Sequence, residues 1–271
     1  MVSMKGTLEG KVAIITGGGT GLGKAMALTL AREGADIVAA GRRPEPIEQT
    51  VKEVRDMGRS GLAVSTDVTD SKQVNNLVEQ TLSQMGGLDI LINNAGIVRG
   101  EQRKPIWDIT DEDWYLGINT NLTGAFFCCR AVGKHLVTQK NGKVINIASG
   151  SGLRGGRDYY MYCCAKSGVI QLTRSLALSW AEDNIQVNCL VPGFIDTRDL
   201  QPKPIAASIN RRQEFIPVGR FGIPQDIGSL GLFLASDASN YITGAIFIAD
   251  GGGLIGCAPT GYSPIIAIEE G

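Results

Sequence analysis

Tyr162 and Lys166 lie four residues apart in the run YCCAK, a spacing that places two side chains on one face of a helix. A tyrosine with a reference pKa of about 10 is a poor base at neutral pH, but a nearby ammonium group favours its ionised form. Lowering that pKa by roughly three units takes about 4 kcal/mol of differential interaction, which a lysine and a second cation can supply in a dry site. The pair therefore predicts proton transfer at Tyr162, although the motif alone is weak because the chain has six tyrosines.

Ser149 stands thirteen residues before Tyr162, at the end of a predicted strand. Where a buried strand leads into a helix, both hydroxyls can point into one cleft at the carboxyl edge of a parallel sheet. When a hydride reaches a ketone, an alkoxide develops on the oxygen, and two hydroxyl donors stabilise it while the tyrosine delivers a proton. The set predicts the interconversion of a secondary alcohol and a ketone.

A glycine-rich turn, TGGGTGLG at residues 16 to 23, joins the first predicted strand to the first predicted helix. Gly17, Gly21 and Gly23 permit the sharp turn and the close approach of a phosphate group to the helix N-terminus. Their TGxxxGxG spacing is longer than the common GxGxxG pattern. The same stretch satisfies the GxxxxGK pattern of nucleotide triphosphatases, but Ala25 follows where a magnesium-binding hydroxyl is needed. A second alternative is that the glycines only close a turn.

Two arginines follow the second predicted strand, where NAD-binding chains carry an acid for the ribose hydroxyls. The strand DIVAA is followed by Gly41, Arg42 and Arg43. A guanidinium at this place pairs with the 2′-phosphate of NADP through its charge and its forked donors. The arginines predict NADP(H) as the cofactor. The alternatives are that both are solvated surface charges and that the cofactor is NAD(H).

Further motifs follow in order along the chain: DV at 67–68, NNAG at 93–96, NLTG at 121–124, PG at 192–193 and DGG at 250–252. Together with the glycine turn and the Ser149, Tyr162 and Lys166 set, they resemble the classical short-chain dehydrogenase/reductase family over nearly the whole chain. The longer glycine spacing is the family's own form of the turn. The resemblance implies an NAD(P)-dependent oxidoreductase that acts on CH–OH groups.

The resemblance also implies a role for each matching residue. Tyr162 is the general acid/base and Ser149 positions the substrate oxygen. Lys166 lowers the pKa of Tyr162 and holds the nicotinamide ribose, and Asn121 supports a proton-relay water, its alternative being a cap or kink in its helix. Cofactor contacts are implied for Gly17, Gly21, Leu22, Gly23, Arg42, Arg43, Asp67, Val68, Asn93, Ala95, Gly96, Tyr162, Lys166, Pro192, Gly193, Ile195 and Thr197. Thr20 replaces the basic residue that NADP-preferring members often have, so the NADP prediction rests on Arg42.

Short apolar runs that alternate with longer amphipathic stretches must position these residues. Strands are predicted at 12–16, 36–40, 61–65, 88–93, 143–149, 185–191 and 245–250. Helices are predicted at 21–32, 47–57, 74–85, 114–138, 161–181 and 226–234. Such alternation predicts a doubly wound α/β fold of Rossmann type, with a seven-stranded parallel sheet in a single domain over 1–271. A substrate lid is predicted at about 193–221, and an irregular C-terminal tail or intersubunit strap at about 253–271.

Composition excludes several other classes of protein. The chain of 271 residues has 26 basic and 27 acidic residues, interleaved, so no polybasic stretch offers a site for nucleic acid or a lipid surface. Neither an export signal nor a run of 18 apolar residues is visible, so a cytoplasmic location is expected. The six cysteines are predicted to be buried thiols, and His135, the only histidine, leaves no metal site to expect.

Several residues could line a substrate cleft, and five of them are arginines. Substrate contacts are predicted for Ser151, Arg154, Tyr159 and Arg198, with Val98, Arg99, Arg103, Leu153 and Arg157 as further candidates. Inward-pointing guanidinium groups would suit a carboxylate, a phosphate or a carrier-bound acyl group. The alternative is that most of these arginines lie at the surface or at an interface.

These residues leave more than one substrate open. The first hypothesis is a dehydrogenase/reductase of a small polar or anionic molecule such as a sugar or sugar acid. The second is a 3-oxoacyl-thioester reductase, acting on acyl carrier protein or CoA derivatives. A third, from another class, is a non-catalytic nucleotide sensor or scaffold, whose expected sign is a broken tetrad. The resemblance further implies dimers or homotetramers formed through the two long helices at 114–138 and 161–181.

Overall fold

The computed structural model describes residues 6–97, 104–197 and 216–256. The strands are β1 Val12–Thr16, β2 Asp36–Gly41, β3 Gly61–Ser65, β4 Ile90–Asn93, β5 Gly142–Ile147, β6 Ile185–Pro192 and β7 Ile246–Ala249. The helices are α1 Gly21–Arg32, α2 Pro44–Asp56, α3 Ser71–Met85, α4 Asp111–Ile118, α5 Gly124–Gln139, α6 Tyr160–Trp180 and α7 Pro224–Ala235. The predicted α/β fold with seven parallel strands is confirmed.

The strands form one sheet in the order β3-β2-β1-β4-β5-β6-β7. All residues of β1, β4, β5 and β6 are buried, because parallel strands are covered on both faces and read as continuous apolar runs. The chain runs outward to β3 on one side of β1 and returns to β4 on the other. This reversal opens a crevice at the carboxyl ends of β1 and β4, where doubly wound sheets bind their ligands.

Helices cover the sheet on both faces. On one face, α3 and α5 bury Val74, Val132 and Leu136 against strand residues such as Ile14 and Leu91. The opposite face carries α1 and α7, which bury side chains such as those of Met26, Leu30 and Ile227 against the neighbouring strand residues. Successive residues of a strand point to opposite faces, so adjacent apolar residues serve both layers. The polar ends of the strands are thereby left for the crevice.

Five helices begin one to three residues earlier than the apolar pattern predicts, and α2 and α3 show why. α2 begins at Pro44 rather than at residue 47, because proline fits the first turn of a helix, where its missing N–H group is not needed. α3 begins at Ser71 rather than at residue 74, because the Asp70 carboxylate accepts the N–H groups of Lys72 and Gln73 and caps the helix. The apolar period marks only the buried part of each helix.

The predicted helical stretch at 114–138 is present, but it is not α-helical throughout. The chain forms α4, then a single π-helical turn at Asn119–Thr123, then α5. α4 starts at Asp111, where Thr110 and Asp113 form a capping box. A π-turn adds one residue to a helical turn, and such turns are frequent at functional sites. Here it brings Asn121 inward.

Other differences concern ends and exposure. β5 ends at Ile147, so Ser149 lies two residues beyond the strand rather than at its end. Cys128, Cys129 and Cys189 are buried as predicted, whereas Cys164 is exposed, because its place on α6 faces away from the sheet. Positions 257–271 of the predicted tail, which include Cys257, lie outside the described residues, as do positions 198–215 of the predicted lid. None of the described helices is long and apolar enough to cross a membrane.

Candidate active site

The glycine turn between β1 and α1 has a backbone that only small residues allow. Gly17 and Gly21 have φ values of 65° and 53°, in the left-handed region that favours glycine. A Cβ atom on Gly23 would lie 2.2 Å from the Gly17 carbonyl oxygen. The turn therefore leaves α1 with an uncovered N-terminus, which can receive a phosphate group on its N–H groups.

The turn is fastened to the end of β4 by two residues that sequence reasoning missed. Asn94 Nδ2 donates to the Thr16 carbonyl oxygen at 2.9 Å and to that of Gly17 at 3.3 Å. Thr16 Oγ1 accepts the N–H groups of Asn94 and Ala95, both at 3.0 Å. Thr16 opens the TGGGTGLG motif and Asn94 belongs to the NNAG motif. These two motifs were the sequence signal that could have pointed to the contact.

Asn93 and Asn94 are neighbours in the sequence but have different structural roles. Asn93 is buried, and its Nδ2 atom donates to Asn146 Oδ1 at 2.9 Å in the core between β4 and β5. Asn93 was predicted as a cofactor contact, and with its side chain in the core it can make one only through its backbone. Ala95 and Gly96 lie beyond the strand, at the edge of the crevice.

The residues predicted for the adenosine half of the cofactor lie at the ends of β2 and β3. Arg42 and Arg43 are exposed, and the Arg42 carbonyl accepts the Ser65 hydroxyl at 3.5 Å. Asp67 Oδ1 accepts the N–H and hydroxyl groups of Thr69 at 2.9 and 2.8 Å, which closes a turn. Val68 is buried. The position of the arginines suits a phosphate on the ribose of a bound dinucleotide.

Asn121 sits in the π-turn and is 2% exposed. Its Oδ1 atom accepts the N–H group of Ile97 at 3.1 Å, and its Nδ2 atom donates to the carbonyl groups of Ile97 at 3.0 Å and Gly117 at 2.9 Å. The side chain therefore satisfies both backbone groups of Ile97 and one carbonyl of α4. This geometry is compatible with both roles expected for Asn121, the support of a proton-relay water and the kink in its helix. The reason is that the π-turn, which interrupts the helix, also borders the crevice.

Lys166 is a buried cation on α6. Its Nζ atom donates to the Ile147 carbonyl oxygen at 2.9 Å, at the end of β5. Burial lowers the pKa of the ammonium group from 10.5 to about 8. At pH 7 the group is still mostly charged. A Cβ atom on Gly96 would lie 3.5 Å from Nζ and 2.7 Å from Asn121 Oδ1, so Gly96 keeps this space open.

Tyr162 lies in the first turn of α6, half-buried, with its ring 5.7 Å from Lys166 Nζ. This distance confirms the geometry expected from their four-residue spacing. Ser149 caps the short turn at Gly150–Gly152, where its Oγ atom accepts the Ser151 N–H at 3.2 Å. The turn packs directly on α6, since a Cβ atom on Gly152 would lie 2.7 Å from the backbone carbon of Lys166.

The segment after β6 reaches back to the glycine turn. Gly193 donates its N–H to the Ala249 carbonyl at 2.9 Å, which continues the line of β6 beyond Pro192. Ile195 forms an isolated bridge with Gly222. A Cβ atom on Gly21 would lie 3.4 Å from Thr197 Cγ2. Thr197 thus faces the glycine turn, as a common cofactor site requires.

The predicted substrate residues are less well gathered. Ser151 and Tyr159 are half-buried beside the Ser149 turn and at the start of α6, whereas Leu153, Arg154 and Arg157 are exposed. Val98, Arg99, Arg103 and Arg198 lie outside the described residues. In the parts of the chain at 6–97, 104–197 and 216–256, no three His, Cys, Asp or Glu side chains could hold a metal ion.

The arrangement can bind a dinucleotide and move a proton. Three glycines give a phosphate cradle, exposed arginines follow β2, and Gly96 leaves space beside Lys166 and Asn121. These donors and this open backbone fit an NAD(P) molecule laid across the crevice. Tyr162, Lys166 and the Ser149 turn stand at its far end, where a phenol beside a buried cation can exchange a proton with a substrate oxygen.

Comparison with known proteins identifies the family. The family model for enoyl-(acyl carrier protein) reductase matches residues 17–253. The chain is 40% identical to 2-dehydro-3-deoxy-D-gluconate 5-dehydrogenase of Escherichia coli over 92% of this chain and 97% of that protein. It is 38% identical to 3-oxoacyl-[acyl-carrier-protein] reductase FabG of Thermotoga maritima, over 90% of this chain and 98% of that protein.

A solved structure of a dehydrogenase also matches this chain. Carveol dehydrogenase from Mycobacterium avium, in complex with NAD, matches with a TM-score of 0.84 and 30% identity, over 92% of this chain and 99% of that chain. Sequence and structure therefore agree on the Rossmann-type sheet. The chain belongs to the short-chain dehydrogenase/reductase family, whose members are NAD(P)-dependent oxidoreductases acting on CH–OH groups.

Proposed function

We propose that this oxidoreductase interconverts a secondary alcohol and a ketone in a small polar or anionic molecule such as a sugar or sugar acid, with Tyr162 as the general acid/base. The observation that carries the proton-transfer role is the buried ammonium of Lys166, held at 5.7 Å from the Tyr162 ring by the Ile147 carbonyl. A relative named for 2-dehydro-3-deoxy-D-gluconate supports the choice of substrate class.

The protein's own groups account for the proton and the oxygen. The positive charge of Lys166 favours the phenolate of Tyr162, which takes the hydroxyl proton of an alcohol or returns it to a ketone oxygen. Ser149 Oγ accepts the Ser151 N–H, so its hydroxyl proton remains to be donated to the substrate oxygen. Asn121 holds the Ile97 backbone at the crevice. Its support of a water on the proton path stays a prediction.

The cofactor that we propose is NADP(H), with NAD(H) as the alternative. When bound, it supplies or accepts the hydride. The glycine turn would hold its pyrophosphate, Lys166 and Gly96 would border its nicotinamide ribose, and Arg42 and Arg43 would pair with the 2′-phosphate. The implied contacts at Leu22, Asp67, Val68, Pro192 and Ile195 stay predictions. Carveol dehydrogenase with NAD keeps the alternative open.

A second candidate function is the reduction of a 3-oxoacyl thioester on acyl carrier protein or CoA. The 38% identity to a 3-oxoacyl-[acyl-carrier-protein] reductase favours it. Exposed Arg154 and Arg157, beside the Ser149 turn, could pair with the phosphate of a carrier arm as well as with a sugar acid. The cytoplasmic location and the homotetramer also stay predictions, the latter with Phe126 on α5 and Leu178 on α6 as exposed apolar side chains.

Kinetics on a panel of substrates test the proposal. Sugar acids, sugars, simple secondary alcohols and 3-oxoacyl thioesters are assayed with NADP(H) and NAD(H) separately, by nicotinamide fluorescence. We expect the largest kcat/KM for a sugar acid with NADP(H). Tyr162→Phe should abolish turnover while the protein still binds the cofactor. Tyr160→Phe, a matched control on the same helix, should keep turnover. Turnover that survives in Tyr162→Phe would overturn the mechanism, and a thioester optimum would select the second candidate.

A further inference from the structure

We infer that Asp250 is a positioning residue of the active site. The turn that its carboxylate builds after β7 joins both described ends of the segment after β6 to the Ser149 turn. This inference rests on the proposed function, because it concerns how the substrate oxygen meets Ser149 and Tyr162. The DGG motif at 250–252, which carries no part of the chemistry described so far, thereby gains a role.

The Asp250 side chain makes two hydrogen bonds within its own turn. Oδ1 accepts the N–H of Gly252 at 2.9 Å, and Oδ2 accepts the N–H of Leu254 at 2.7 Å. Hydrogen bonds to a carboxylate are stronger than those between neutral groups. Gly251 and Gly252 have φ values of 65° and 88°, a backbone that L side chains rarely adopt. The carboxylate therefore holds a turn that its two glycines make possible.

The turn rests against the residues at which the segment after β6 returns to the fold. Gly251 accepts the N–H of Val218 at 3.1 Å. A Cβ atom on Gly251 would lie 2.8 Å from Ile216 Cγ2, and one on Gly252 would lie 3.0 Å from Pro217 Cγ. One backbone hydrogen bond and close contacts with the Ile216 and Pro217 side chains thus join the turn to residues 216–218, so a displaced turn displaces those residues.

The start of the same segment also touches Asp250. A Cβ atom on Gly193 would lie 2.6 Å from the Cα and Cβ atoms of Asp250. The two ends of the segment are then paired with each other, since Asp196 donates its N–H to Gly222 at 2.9 Å and Gly222 donates to Phe194 at 3.0 Å. Asp250 stands where both ends meet the sheet.

Leu254, the second residue held by Asp250, lies beneath the Ser149 turn. A Cβ atom on Gly150 would come within 3.5 Å of Leu254 Cδ2. The Leu254 side chain also packs on a small buried cluster that includes Ala148. Leu254 therefore supports the residues on both sides of Ser149. Catalytic hydroxyls are sensitive to such support, because a misplacement of about 1 Å can reduce the rate roughly a hundredfold.

A change at Asp250 should affect the substrate more than the cofactor. Asp250 supports the Ser149 turn through Leu254 and contacts the segment after β6 at Gly193, whereas the glycine turn and Arg42 are positioned by β1, β2 and β4. The change should therefore raise the KM of the substrate and lower kcat, with a smaller effect on the affinity for the dinucleotide, whose proposed contacts include Gly193. A carboxylate that merely stabilised the whole fold would weaken both equally.

The test uses the full-length protein with three variants, Asp250→Ala, Asp250→Asn and Leu254→Ala. Asp56→Ala is the control, since its one salt bridge among the described residues is with exposed Lys52 on α2. We expect Asp250→Ala to raise the substrate KM and lower kcat, with a loss of at least about tenfold in kcat/KM, and to raise the NADP⁺ dissociation constant by no more than about threefold, because Gly193 is the proposed cofactor contact that it touches. Asp250→Asn should fall between, because its amide keeps one acceptor but faces the Leu254 N–H with a donor. Leu254→Ala should lower kcat while cofactor affinity is kept.

Amide hydrogen exchange gives a readout that does not depend on turnover. Val218, Gly252 and Leu254 should exchange faster in Asp250→Ala than in the wild type, and Asp56→Ala should match the wild type. The inference would be overturned if Asp250→Ala kept both the kinetics and the exchange rates of the wild type. It would also be overturned if Asp250→Asn lost substrate affinity and cofactor affinity equally. A wild-type protein that turns over no substrate would instead defeat the proposed function, and exchange at the turn would then decide the role of Asp250.

Discussion

The Asn121 side chain pairs with both backbone groups of Ile97: Oδ1 accepts its N–H at 3.1 Å, and Nδ2 donates to its carbonyl at 3.0 Å. Ile97 is the fourth residue beyond β4, and Asn121 belongs to the π-turn between α4 and α5. One amide therefore ties the loop after β4 to a helix interruption. Because Nδ2 also reaches the Gly117 carbonyl, the side chain uses both of its N–H donors and its oxygen acceptor.

Asn121→Asp should damage both stability and turnover. The carboxylate can still accept the Ile97 N–H, but it would face the carbonyl groups of Ile97 and Gly117 without a donor. Buried groups that lose a partner cost about 1–3 kcal/mol, so we expect the free energy of unfolding to fall by about that amount. Turnover should fall at least about tenfold as the crevice wall shifts. Urea unfolding and steady-state kinetics measure the two effects.

Asn119→Asp is the matched control for that change. Asn119 lies in the same π-turn, and its Oδ1 atom accepts the Thr123 hydroxyl at 3.2 Å, a bond that a carboxylate preserves. It should therefore unfold and turn over as the wild type does. Equal losses in the two variants would mean that the π-turn is sensitive to charge in general, and the pairing with Ile97 would then carry no special weight.

Lys166→Met should abolish turnover while leaving the protein at least as stable at pH 7. Burial lowers the pKa of Lys166 to about 8, so the charged form is costly in the folded state. Methionine removes that cost and the hydrogen bond to Ile147, with an expected net gain on the order of 2 kcal/mol. Between pH 8 and 10.5 the unfolded chain binds more protons than the folded protein, so wild-type stability rises with pH. The gain from Lys166→Met should therefore be largest below pH 8 and shrink above it.

Lys143 is a second buried lysine and serves as the comparison for Lys166. It is buried at the opposite end of β5, burial lowers its pKa to about 8, and Nζ donates to Ser239 and Asn240. Lys143→Met should keep turnover within about threefold, because the site lies at the other edge of the sheet. Thermal unfolding from pH 6 to 10.5 and kinetics of both variants decide the matter. A Lys166→Met protein that melts lower than the wild type at pH 7 would contradict the argument.

Much of the fold follows from the sequence because buried parallel strands read as unbroken apolar runs. VAIIT and IQVNCLV are entirely buried, and the alternation of such runs with helices leaves few topologies. The Tyr162 and Lys166 pair is equally legible, since four residues span about one helical turn. In contrast, the π-turn at Asn119–Thr123 has no signal of its own, because apolar residues recur at helical spacing on both sides of it.

Side-chain direction is the part that the sequence did not predict. Asn93 and Asn94 are adjacent and chemically identical, yet one lies in the core and the other fastens the glycine turn. Direction alternates along a strand and changes where the strand ends, so one residue of difference in the end of β4 exchanges their roles. The same limit applies to Arg154, whose exposure the sequence could not give.

Arg42→Ala should change the choice of cofactor. Arg42 is exposed directly after β2, with no carboxylate beside it in the sequence, so a 2′-phosphate is its expected partner. Charge-assisted hydrogen bonds contribute about 1.5–3 kcal/mol, which predicts a roughly tenfold to hundredfold rise in the KM for NADP(H). The KM for NAD(H) should stay within about twofold. Initial rates with each cofactor measure the ratio.

Arg32→Ala serves as the control for Arg42→Ala, because Arg32 is an exposed arginine in the last turn of α1, far along the helix from the glycine turn. It should leave both KM values unchanged. Equal effects of Arg42→Ala on NADP(H) and NAD(H) would show that the residue acts on the shared part of the dinucleotide. A wild type that prefers NAD(H) would remove the basis for the NADP assignment.

Gly23→Ala should prevent cofactor binding, whereas Gly87→Ala should have no effect. A Cβ atom at Gly23 would lie 2.2 Å from the Gly17 carbonyl oxygen and 2.5 Å from Asn94 Nδ2, so the glycine turn would have to open and lose the Asn94 hydrogen bonds. At Gly87 a Cβ atom meets nothing within 4 Å. The turn presents the N-terminus of α1 to a phosphate, and its displacement removes the close approach that binding requires.

Fluorescence titration with NADPH should give no saturation for Gly23→Ala and a wild-type dissociation constant for Gly87→Ala. Circular dichroism should show native secondary structure in both, and wild-type NADPH affinity in a folded Gly23→Ala protein would contradict the assignment of this turn to the pyrophosphate.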